Sequence, residues 1–147
     1  MWIKQQSGFT LIELLLVLFI IQLTLWIGSQ VSLSYYHHYQ FKQWYTQFEL
    51  DLLTIQKETI LTDKQPIIQI YPNDHKYQIR HSPIEPPITT RDTPSNWTIT
   101  MTSLNNPIYF SNHGTIRGPG RMQIKTKRAT YTIIFPFGKG RSYYVKT

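Results

Sequence analysis

Apolar residues follow one another almost without a break from Phe9 to Ile27, interrupted chiefly by Thr10, Glu13, Gln22 and Thr24. A run of that length is enough for a membrane-crossing helix, which needs roughly 20 residues. Glu13 is its only formal charge. A lone carboxylate at that depth is costly and is by default functional, so it calls for a positive partner. Beyond Val31 the pattern becomes amphipathic. Phe41, Trp44, Tyr45, Phe48, Leu52 and Ile55 recur at spacings of three and four, one stripe of a helix and one wall of a core. Gln40, Gln43, Gln47, Asp51 and Lys57 fill much of the remaining surface. No proline occurs between Phe9 and Pro66, so a single helix of about 80 Å is allowed to about Leu61. Pro66 predicts its end near Thr62–Gln65, and Gly28-Ser29 marks the place where it would bend or loosen.

After Pro66 the period changes from the helical to the alternating. Ile67–Tyr71 and Lys76–His81 read as strands joined by a turn at Pro72-Asn73-Asp74. Ser82–Ser95 carries Pro83, Pro86, Pro87 and Pro94 and reads as a long loop, of the kind that makes contacts. Strands follow at Trp97–Thr102, Ile108–Phe110, Thr115-Ile116, Met122–Lys127, Thr130–Phe135 and Ser142–Lys146. Turns are placed at Ser111–Gly114, Gly118–Gly120, Arg128-Ala129 and Phe137–Arg141. The predicted class is α+β: a long N-terminal helix, its first half apolar and its second amphipathic, packed on a small antiparallel sheet.

Composition narrows the chemistry. The 147 residues leave room for one modest domain beyond the apolar segment. No cysteine is present, which removes disulfides and thiolate metal sites. His75, His81 and His113 are scattered, and no carboxylate stands at metal spacing beside them. No G-x-S-x-G pattern occurs. Adjacent His37 and His38 point about 100° apart on a helix and do not chelate together easily. No enzyme, metal or cofactor is expected. The net charge is +7. Arg117, Arg121, Lys125, Lys127, Arg128, Lys139, Arg141 and Lys146 follow Ile116 with no acid among them. Interleaved with Tyr131, Phe135, Phe137, Tyr143 and Tyr144, they are candidate DNA contacts, cations attracting phosphates and exposed rings stacking on bases. The same pattern suits a solvated sheet face with its aromatics in the core, amid anionic cell-wall polymers.

The short leader Met1–Gly8, then Phe9-Thr10-Leu11-Ile12-Glu13 and the apolar helix, resembles the class III signal of type IV pilins and type II secretion pseudopilins. The resemblance implies cleavage by a prepilin peptidase between Gly8 and Phe9 and N-methylation of Phe9. It also implies pairing of Glu13 with the amine of a neighbouring subunit's first residue. Residues 1–8 would be the leader, 9–30 the membrane and filament-core half of the helix, and 31–147 the exported domain. A secretory signal peptide, with Gly28-Ser29 imitating its cleavage site, is opposed by the acid at the head of the run. Lys4 and the N-terminus orient the leader to the cytoplasm.

Phe110–Ile116, followed by Gly138-Lys139-Gly140-Arg141 and a last strand, is similar to the competence (ComG) minor pilins. It is most like the ComGD type, which is related to the H-type minor pseudopilins. Missing is the C-terminal disulfide loop of many Gram-negative pilins, a lean toward a Gram-positive source. What this resemblance implies is a structural subunit that helps start a competence pilus, the filament that captures DNA for transformation. Its partners would be other minor pilins, the major pilin and the membrane platform of the assembly ATPase. The alternatives are a minor pseudopilin of a secretion machine, or an adhesive minor pilin whose proline-rich loop meets a surface.

Overall fold

A computed structural model describes residues 10–62 and 64–147, with the backbone alone for residues 28–34. Among the described residues one helix, α1 (Leu11–Leu61), precedes nine strands. Its last turn closes where Thr62 N–H and Oγ1 both bond to Glu58 O, at 2.9 and 2.8 Å, just ahead of the stop set by Pro66. The chain divides into two compact units, Met1–Tyr39 and Gln40–Thr147.

In the first unit every described side chain from Thr10 to Ile27 is exposed. A helix apolar all round is stable in water only when something covers it. Its polar exceptions are handled locally: Thr24 Oγ1 donates to the carbonyls of Ile20 and Ile21, at 3.1 and 2.8 Å. Among the described residues no helix is long and apolar enough to cross a membrane. The apolar segment with described side chains, Leu11 to Ile27, falls just short of the roughly 20 residues a span needs. The helix runs unbroken through Gly28-Ser29 in the isolated chain.

In the second unit the predicted stripe is the core. Phe41, Tyr45, Phe48, Leu52 and Ile55 are buried, and Thr59 extends the row by another turn. The sheet expected to back it is three sheets. Strands β1 (Ile67–Tyr71), β2 (Lys76–Arg80) and β3 (Thr89–Asp92) form the first, in that order. The second has the order β4-β7-β8-β9, with β4 at Thr98–Met101, β7 at Gly120–Lys125, β8 at Thr130–Phe135 and β9 at Tyr143–Lys146. A two-stranded ribbon, β5 (Tyr109–Phe110) with β6 (Ile116–Arg117), joins the first sheet through the Ile68–Ile108 bridge. All pairs are antiparallel.

Strand β3 corrects the reading of Ser82–Ser95 as loop throughout. Thr89–Asp92 pairs along β2 as an edge strand, from Lys76↔Asp92 to Ile79↔Thr89. An edge strand with intermediate or exposed positions only needs no apolar alternation, which is why the pattern hid it. On β8 the alternation is fully expressed: Tyr131, Ile133 and Phe135 point inward. Phe41 stacks on Tyr131 with ring centroids 3.6 Å apart and planes at 6°, and Tyr144 meets Phe41 edge-on at 5.0 Å. Trp44 and Phe48 stack at 5.1 Å, and Phe48 meets Tyr77 edge-on at 5.3 Å. Aromatic pairs of this geometry add about 0.5–1.5 kcal/mol each beyond their buried area.

Candidate functional site: the helix head, the buried carboxylate and the basic strands

Thr10 and Glu13 form a capping box at the start of α1. Thr10 N–H and Oγ1 converge on Glu13 Oε2 at 2.9 and 3.0 Å, and Glu13 N–H returns to Thr10 Oγ1 at 3.4 Å. The reciprocal bonds satisfy donors that a helix start leaves open, and an acid there suits the positive end of the helix dipole. A carboxylate has about four acceptor sites. One shared oxygen on Thr10 therefore leaves Glu13 able to take a further donor. Gly8 and Phe9, the predicted cleavage and methylation positions, lie outside the described residues.

A second carboxylate was misplaced by sequence reasoning. Asp51, assigned to the polar side of the helix, is only 6% exposed. Tyr77 Oη donates to its Oδ2 at 2.8 Å, Arg91 Nε and Nη2 reach it at 3.1 and 3.4 Å, and Gln47 Nε2 adds a bond at 3.0 Å. This one side chain ties α1 to both β2 and β3. Burial, then the hydrogen bond to Asp51, pushes the Tyr77 phenol far above its ordinary range. Burial likewise raises Tyr45, which bonds Ser142 Oγ at 3.0 Å, and Tyr131. Each of these tyrosines keeps its proton in the folded chain at a pH where the unfolded chain loses it. Their contribution is intact below the unfolded value of 10.0 and is lost as pH rises beyond it. Alkaline titration of the full chain in detergent micelles, followed by near-ultraviolet circular dichroism, should show destabilisation setting in above about pH 10. Tyr77→Phe should blunt that loss.

The glycines behind the weaker resemblance have two different jobs. Gly114 (φ 72°) and Gly138 (φ 67°) sit in the left-handed region that glycine alone adopts freely. Gly140 does not; there a Cβ would lie 2.5 Å from Gly114 O and collide with the Gln56 amide, which itself donates to Gly114 O. The requirement at Gly140 is close approach to the helix rather than a turn.

All eight cations after Ile116 are exposed, but register separates them. Lys125, Lys127, Arg128 and Lys146 gather at the β7–β8 hairpin end, where Thr130 opposes Lys125 and Tyr131 opposes Lys146. Arg121, Lys139 and Arg141 lie toward the other end, roughly 15–20 Å away at about 3.4 Å per residue, and Arg117 belongs to the separate ribbon. Tyr131 and Phe135 are buried and Tyr144 is partly so. Of the aromatics offered for base stacking, Phe137 and Tyr143 remain, 86% and 51% exposed. Among the described residues no His/Asp/Glu group is close enough to hold a metal. His81 instead faces Glu58 at 3.7 Å.

Fold and helix head together define a class. Residues 3–21 match the prokaryotic N-terminal methylation motif, which in this chain stands at the head of a long helix followed by antiparallel sheets. Its fold is similar to that of the minor pseudopilin EpsH from the Type 2 Secretion System of Vibrio cholerae. That likeness has a TM-score of 0.52 at 11% identity, over 71% of this chain and 94% of that one. A comparison with curated proteins gives no match to this chain.

Proposed function

We propose that this chain is a minor pilin, a non-enzymatic subunit that helps start a competence pilus and so serves DNA capture in transformation. The observation that carries the proposal is the methylation motif with Glu13 at the head of an apolar helix whose described side chains from Thr10 to Ile27 are all exposed. In this reading the helix rests in the membrane, leader inward and the 31–147 domain outside, until the assembly platform extracts it. Burial among the helices of other minor pilins and the major pilin then replaces lipid, and Glu13 sets register by accepting the methylated amine of a neighbouring Phe9. Prepilin peptidase would act between Gly8 and Phe9. Mass spectrometry of the chain from its own cells should find Phe9 as a methylated N-terminus; a retained Met1–Gly8 overturns the proposal.

The likeness to EpsH favours a second reading, a minor pseudopilin of a secretion machine. Deletion in the source organism separates the two. Loss of transformation with intact protein export supports competence, and the reverse supports secretion. Within the competence reading the exposed cations at the hairpin end are the contacts for phosphates. Lys127→Ala with Arg128→Ala should weaken DNA binding at low salt about tenfold and flatten its salt dependence by about two phosphates. An unmodified chain that binds no DNA at low salt excludes a direct role.

A further inference from the structure

The proline-rich segment between β2 and β3 is built to present one side chain. Arg80 Nη1 donates to the carbonyls on either side of Ile84, Pro83 O at 3.3 Å and Glu85 O at 3.1 Å. The guanidinium is itself held by Gln78 Oε1, at 3.1 and 2.6 Å, and Gln78 Nε2 is anchored on Thr90 Oγ1 at 3.2 Å. Ile88 N–H closes the base on Ile79 O at 2.8 Å. Pro83, Pro86 and Pro87 restrict the backbone further. At the apex of this braced loop Ile84 is 95% exposed, with Glu85 beside it and Ile88 half exposed. An apolar side chain held out by a side-chain brace has little entropy left to lose on docking, which is the condition that favours a contact.

The same unit carries the complementary surface. Phe137 and Tyr143 are exposed together with Val145, and Tyr143 pairs in register with Ile134. Lys139 and Arg141 flank them in the same turn. The stretch from Arg117 to Lys146 holds eight cations and no acid, whereas the loop carries an exposed acid, Glu85. The two surfaces flank one end of the helix from different sides. His81, at the foot of the loop, meets Glu58, while Gly140 lies against Gln56. Positions 56 and 58 are about 200° apart around a helix axis.

We propose that the Pro83–Ile88 loop of one copy docks on the Phe137–Tyr143 surface of a second copy, with Ile84 against the two rings and Glu85 against Lys139 and Arg141. Because different patches meet, the contact is heterologous and leaves each end free to add another copy. The patch is small, well below the roughly 1,000 Å² of a stable complex, so the contact needs copies held close together, as on one membrane. It depends neither on cleavage at Gly8 nor on the choice between competence and secretion.

The chain has no cysteine, which makes the test direct. Two differently tagged full-length copies, one Ile84→Cys and the other Phe137→Cys, are co-expressed in cells and oxidised. A disulfide requires Cβ atoms about 3.5–4.5 Å apart. The pair should cross-link at least about tenfold more than Ile84→Cys with Thr98→Cys, a position exposed on the opposite edge strand. Glu85→Lys should cut that yield about fivefold, and Lys139→Glu with Arg141→Glu should restore it. Equal yields for the two pairs, or a yield indifferent to both charge changes, overturn the proposal.

Discussion

Asp51→Ala should be strongly destabilising, by about 2–3 kcal/mol. Most of that is the cost of leaving the buried Tyr77 hydroxyl without its acceptor, because Arg91, 41% exposed, can turn to water. The size follows from what remains. Tyr77 Oη would be left buried without its acceptor, and Arg91 would lose a bond across the gap between α1 and β3. Marginal stabilities of about 5–15 kcal/mol make such a loss a large share of the total. Tyr77→Phe removes donor and demand together and should cost only about 1 kcal/mol. Asp51→Asn keeps an acceptor for Tyr77 while weakening the grip on Arg91, and should fall between. Chemical denaturation of the full chain in detergent micelles measures all three. Asp51→Ala as mild as Tyr77→Phe would show that the carboxylate is not the tie between helix and first sheet.

That carboxylate was within reach of the sequence. Asp51 stands three residues after Phe48 and four before Ile55, the same spacing that picked out the core stripe. A polar residue at such a position is either an error of the pattern or a paired group, and Arg91 and Tyr77 are its pair. The capping box was legible in the same way, as Thr10 followed three residues later by Glu13 ahead of an apolar run. Helix, hairpins and inward β8 positions could be read because each has a period. β3 could not, because an edge strand rich in Thr and charge has no buried face to impose one. The division of the expected single sheet into three was equally hidden. Strand pairing depends on contacts far apart in sequence, such as Ile68 with Ile108, and local alternation carries no trace of them.

Glu13→Leu should reduce incorporation of the chain into filaments at least about a hundredfold, with its membrane level unchanged. Insertion becomes easier when the acid is gone, so a fall in assembly cannot be charged to poor anchoring. In the proposed assembly what is lost is the acceptor for a buried amine, at about 3–5 kcal/mol, with every 1.4 kcal/mol worth a factor of ten. Thr10→Ala provides the internal comparison. It removes the hydroxyl that caps Glu13 N–H and one of the two bonds to Oε2 but leaves the Thr10 backbone bond and the carboxylate in place, and should cost about 1 kcal/mol, a several-fold change at most. The capping box holds Glu13 at the helix start; in the proposed assembly a neighbour's amine adds a donor to a group already in position. Quantifying each variant in sheared filaments against the membrane fraction distinguishes the roles. If Glu13→Leu assembles like the parent while Thr10→Ala does not, the acid serves the helix end alone and the register must be set elsewhere.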